Sequence, residues 1–187
     1  MPVVEYTIRR KVFTLFAPKF HVYDNEGNLI GFSKQKAFKL KEDIRIYTDE
    51  DMTDERIRIA ARSIIDFGAA YDIIDSKTQQ KLGALRRKGL KSILRDSWEV
   101  MDENDNVIGK LEEDSMMMSL LRRYLGGWIP QRFYLKQAND FEIAEYRTHF
   151  NPFILRMTVT VYEDCPLNPM LVLAGGLLLV AIEGRQN

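Results

Sequence analysis

The sequence predicts a mainly β protein, a closed antiparallel barrel of about twelve strands around a buried hydrophobic C-terminal helix. Three observations lead there. A strand–turn–strand block recurs along the chain, further segments alternate apolar with polar residues, and the chain ends in a run that is apolar on every face. A sheet of that many strands should curl or close, and closure removes edges that would pair with other chains. A helix without a polar face must be surrounded, and a wide barrel must be filled.

Taken in order, "KVFTLF" supplies an amino-terminal strand. The repeat begins with "FHVYDNEGNLIG" (20–31) and returns as "YDIIDSKTQQKLG" (71–83) and "WEVMDENDNVIG" (98–109). Each copy has an aromatic residue, an aspartate four positions later and a closing apolar-Gly pair. A degenerate fourth copy, "FYLKQANDFEIA", places Gln137 and Ala144 where the others have Asp and Gly. β-Formers flank polar clusters in every copy, so each reads as a hairpin, and the aspartates read as turn initiators that bond their own backbone. "IRIYTDE", "RIRIAARSI" and "LRMTVTVYE" alternate with the period of two expected of strands with one buried face. "EDSMMMSLLRRYLGGW" reads as a second helix, stopped by Gly126 and Gly127, whose methionines pack in the core or, as the competing reading, offer a soft, adaptable binding surface.

The last apolar run, Met170 to Ile182, has thirteen residues, whereas a span of the hydrocarbon core needs roughly twenty. Its ends are those of a helix in a folded domain: Asn168 as N-cap, Pro169 in the first turn, Gly184 as the stop. Gly175 and Gly176 imply a neighbour packed closely against that side, since each glycine costs about 1 kcal/mol in a helix interior.

The 187 residues suit a single domain, 1–187, and the formal net charge of zero gives no bulk attraction to nucleic acid. The hydrophobic (45%) and charged (29%) fractions are those of a globular chain. The single cysteine, Cys165, fits a reducing compartment, and the start lacks a secretory signal, so the expectation is a cytoplasmic monomer.

No residues compose a catalytic set, and no cofactor is expected. His21 and His149 have no partner at metal-ligand spacing, no serine sits in a nucleophile elbow, and no phosphate-binding glycine loop is present. "DENDNVIGKLEE" places Asp102, Asn104, Asn106 and Glu113 at four positions of a calcium loop, but Val107 stands where that loop needs glycine and the flanks are strands. No metal is assigned. The candidate site is basic: "LRRKGLKSILR" carries Arg86, Arg87, Lys88, Lys91 and Arg95 without an acidic residue. Such clusters bind phosphate-bearing headgroups, at about 1 kcal/mol per basic residue near an anionic surface. A solvated loop balanced by nearby acidic runs is the competing reading. Lys34, Lys36, Lys39 and Lys41 form a sparser cluster, and "NPF" (151–153) is a turn or an exposed docking tripeptide.

"RSIIDFGAAYDIID", "LRRKGLKSILRDSWEVMDENDNVIG", "HFNPF" and the terminal segment with its "AIEGRQ" exit resemble the LURP-one-related family of the tubby C-terminal-like and phospholipid scramblase-like group. The resemblance runs from about Phe13 to the end. It implies a tubby C-terminal-like fold, twelve strands around a hydrophobic C-terminal helix, and little chemistry, because fold does not transfer function. The resulting expectation is a non-enzymatic binding or scaffold module, peripheral to a membrane, that recognises anionic phospholipid at Arg86 to Arg95. The alternatives are a scramblase-like protein that inserts its terminal helix and a protein-interaction module without a small ligand.

Overall fold

The fold is described from a computed structural model, which describes residues 2–11, 18–34, 43–62, 70–88, 97–114, 130–149, 151 and 153–183. Twelve strands follow one another: β1 (Pro2–Lys11), β2 (Lys19–Tyr23), β3 (Leu29–Lys34), β4 (Ile44–Tyr47), β5 (Glu55–Ala61), β6 (Ala70–Asp75), β7 (Lys81–Arg87), β8 (Ser97–Met101), β9 (Val107–Glu113), β10 (Arg132–Gln137), β11 (Glu142–His149) and β12 (Ile154–Tyr162). Each pairs antiparallel with its neighbour in sequence, and β12 returns to β1, so the sheet closes into an up-and-down barrel. The expected amino-terminal strand lies upstream of "KVFTLF": of that stretch only Lys11 belongs to β1, and 12–17 fall outside the described residues. Glu5 and Arg9 of β1 are exposed while Tyr6 and Ile8 are buried, the alternation of a two-faced strand.

Helix α1 (Pro169–Glu183) fills the barrel, and every residue from Leu171 to Ala181 is buried. Its first turn is capped as the sequence implies, with Met170 N–H donating to Asn168 Oδ1 at 2.9 Å. The two glycines face the wall at close range. A Cβ on Gly176 would stand 2.7 Å from Val159 Cγ2 and 2.9 Å from Ile8 Cδ1, and one on Gly175 would stand 3.0 Å from Tyr146 Oη. That hydroxyl donates to Val172 O at 2.9 Å, fastening wall to helix and satisfying a buried phenol. No helix among the described residues is long and apolar enough to cross a membrane. Of the stretch expected to form a second helix, 113–128, Glu113 belongs to β9, and the rest from 115 on lies outside the described residues.

The repeat has a fifth copy. β4 and β5, read from sequence as separate strands, form a hairpin of the same design, with Thr48 in place of the aspartate and Arg56-Ile57 in place of the apolar-Gly pair. In all five hairpins one residue is bulged at the same place: Ile30, Arg56, Leu82, Ile108 and Ile143. All five turns are closed by an amide at the aspartate position: Asp24, Thr48, Asp75, Asp102 and Gln137 donate to Asn28, Asp54, Gln80, Asn106 and Phe141 carbonyls at 2.9–3.0 Å. All five also contain a left-handed residue, Gly27, Met52, Gln79, Asp105 and Asp140, of which one is glycine. The repeat is therefore a backbone pattern, and the aspartates serve it: Asp102 Oδ1 accepts from the amides of Asn104 (2.9 Å) and Asn106 (2.8 Å), and Asp24 does the same for Glu26 and Asn28.

Candidate functional site

The antiparallel order sends every repeat turn to one rim of the barrel, where β12 also hands over to α1. Those six segments (24–28, 48–54, 76–80, 102–106, 138–141 and 163–168) hold twelve of the chain's 27 acidic residues and one of its 27 basic residues, Lys77. The rest of the chain keeps 15 acidic against 26 basic residues, a net charge of +11. Net neutrality thus conceals a polarised molecule. At the opposite rim the strand ends carry Arg9, Arg10, Lys34, Arg86, Lys88, Arg132, Arg147 and Arg156, and also Lys19, whose ammonium lies 3.9 Å from Glu50 of the 48–54 turn. The helix dipole runs with this arrangement, its positive N-terminus at the acidic rim and its negative C-terminus at the basic one, where an Arg10 Nη donates to Val180 O at 3.2 Å.

The three described candidates, Arg86, Arg87 and Lys88, do not share one face. Arg86, at the end of β7, points outward and donates Nε–H to Glu99 Oε2 at 2.8 Å; Lys88 Nζ lies 3.0 Å from Glu99 Oε1. Both side chains remain close to half exposed, at 47% and 40%, so each can still reach an anion while sharing Glu99. Partial burial pushes the Glu99 carboxyl upward, but hydrogen bonds from Arg86 and Lys88 outweigh it and hold the group below its ordinary range. Arg87 alternates to the inner face beside Leu85, opposite Trp98, with its guanidinium 6.0 Å from the indole centroid. Lys91 and Arg95 lie outside the described residues, as do Lys36, Lys39 and Lys41. Sequence reasoning missed Glu99, the neutralising partner; it sits on the next strand, and only the pairing of Arg86 with Glu99 brings them together.

The other candidates resolve into structure. The four calcium-loop positions are split: Asp102 spends both carboxylate oxygens on its own turn, while buried Glu113 lies six residues up β9 from Val107, about 20 Å at strand rise. No group of three or more His, Cys, Asp or Glu among the described residues could hold a metal ion. His21 Nε2 lies 3.1 Å from Glu50 Oε1, and His149 Nε2 lies 2.8 Å from Thr158 Oγ1, both bridging neighbouring elements. Asn151 Oδ1 accepts from the amides of Phe153 and Ile154, at 2.9 and 3.0 Å, so "NPF" is built as a turn, and Phe153 stands 68% exposed on it.

No curated protein matches the chain at a significant level. A family model does, and it begins within β3, covers four of the five bulged hairpins whole and breaks off at Gly175, midway along the helix they enclose. That model describes LURP-one-related proteins and matches residues 30–175, most of the barrel, and so this chain belongs to the LURP-one-related family.

Proposed function

We propose that this barrel is a non-enzymatic binding module that docks on anionic phospholipid headgroups through its basic rim, peripheral to the membrane on the cytoplasmic side. The separation of charge supports this reading, with the net +11 of the chain lying outside the acidic rim. Partly exposed Arg86 and Lys88 stand on the basic side, where Arg can hold a phosphate by its fork and Lys as a point charge. Burial of α1 inside the wall favours surface docking over insertion of that helix.

The test is vesicle co-sedimentation at low salt with neutral phosphatidylcholine and with anionic phosphatidylserine mixtures. Preferential, salt-sensitive binding to the anionic vesicles is expected, with loss when Arg86, Lys88, Lys91 and Arg95 are all changed to Glu. Arg87 is left in place because its inner position beside Trp98 ties it to folding. Equal binding to both vesicle types, or no effect of the four reversals, would sink the lipid reading.

A further inference from the structure

We infer that the acidic rim holds a docking cleft for a basic peptide segment that also carries aliphatic residues. The cleft, of about 660 Å³, opens where α1 enters the barrel, between the turns of the β6/β7 and β8/β9 hairpins and the 163–168 connection. Its floor is apolar: Leu82, Ile108, Leu167 and Leu171. Two of these are the bulged residues of their hairpins, and a bulge turns its side chain out of the regular alternation. Leu82 and Ile108 consequently remain half-buried at the cleft, whereas the corresponding Ile143 of β10/β11 is wholly covered.

Charge identifies the occupant. Asp102 and Glu103 stand at the cleft wall, and the three segments around it (76–80, 102–106 and 163–168) carry five acidic residues against one basic, Lys77. Lys81 also lines the cleft, but its ammonium is 2.6 Å from Asp105 and 3.6 Å from Asp72, so it presents no free positive charge. An aliphatic side chain suits the floor, and flanking Lys or Arg suit the wall and the neighbouring turns. The volume falls within the range of small-ligand sites, roughly 300–1,000 Å³. A free metal ion or small amine would leave the apolar floor uncovered, and an anionic or purely apolar segment would be repelled or left unsteered. The site lies on the rim opposite the basic stretch, so the inference stands apart from the lipid reading.

A direct test uses fluorescence anisotropy with three labelled synthetic octapeptides on the full chain: alternating Lys/Leu, alternating Glu/Leu, and Lys alone. The Lys/Leu peptide is expected to bind saturably at one to one, weakening with salt. Ile108→Asp and Glu103→Lys are each expected to weaken it by about fivefold or more, while Glu26→Lys on a distant turn changes it by less than about twofold. Anionic vesicles should not displace the peptide. Equal affinity of the Lys-only peptide, indifference to Glu103→Lys, or displacement by vesicles would overturn the inference. Exposed Glu103 keeps the test decisive even if Ile108→Asp fails to fold.

Discussion

Of the two helix glycines, Gly176 leaves the less room for a side chain against the wall. Gly176→Ala should lower unfolding free energy by about 1–3 kcal/mol from overpacking on Val159 and Ile8, partly offset by the better helix propensity of alanine. Urea denaturation measures the balance, and an unchanged midpoint would mean that the wall yields. The turns give a prediction of opposite sign. Met52 holds a left-handed conformation at φ 57°, unfavourable for any side chain, so Met52→Gly should gain about 0.5–1 kcal/mol in the same experiment. Asp105→Gly should instead lose stability, because that carboxylate accepts from both Arg62 and Lys81. His149 supplies a pH effect. Burial first, then Arg156 and Arg147, depress its pKa below the ordinary 6.5. The unfolded chain therefore binds more protons in that interval, and stability falls as pH drops from about 6.5 toward the folded-state pKa. A stability profile over pH 5–7.5 should show this slope, and His149→Gln should flatten it.

Among the elements, the hairpins are specified by backbone constraints that sequence reports through a few marker residues. The glycine that closes three of the copies is one such marker. A Cβ on Gly109 would meet Lys136 O of the adjacent strand at 2.7 Å, and a backbone carbonyl held in a ladder cannot step aside as a side-chain tip can. Gly109→Ala should cost about 2 kcal/mol or more and be visible as a lowered melting temperature. Gly31 is less crowded, with its nearest contact at 3.2 Å, so the same change there should be milder. The β4/β5 copy escaped sequence reading because Thr48, Arg56 and Ile57 carry none of the expected side chains, although its amide closure and bulge are those of the others. The Asn168-Pro169 start of α1 and the turn role of the aspartates were legible because caps and turn-forming side chains act within a few residues.

For the whole molecule, helix and barrel are one folding problem. Truncation after Leu167 removes the helix that fills the interior and should leave an aggregated or unfolded product, as read by size-exclusion chromatography and circular dichroism. A monodisperse, cooperatively melting truncation would instead show that the wall stands without its filling. The charge separation belongs to the same scale. The acidic turns are scattered from Asp24 to Asp164 along the chain, and the antiparallel order gathers them on one rim. By itself the sequence determined what local chemistry controls: strand alternation, hairpin turns, the helix and its cap, and the need for an apolar helix to be enclosed. Tertiary structure decided what depends on distant partners: the fifth hairpin, the division of Arg86 and Arg87 between outer and inner faces, the pairing of Arg86 and Lys88 with Glu99, the polarity of the rims and the cleft at the helix start. The physical reason is that side-chain period and capping act over a few residues, whereas charge pairing and cavities depend on which strands become neighbours when the sheet closes.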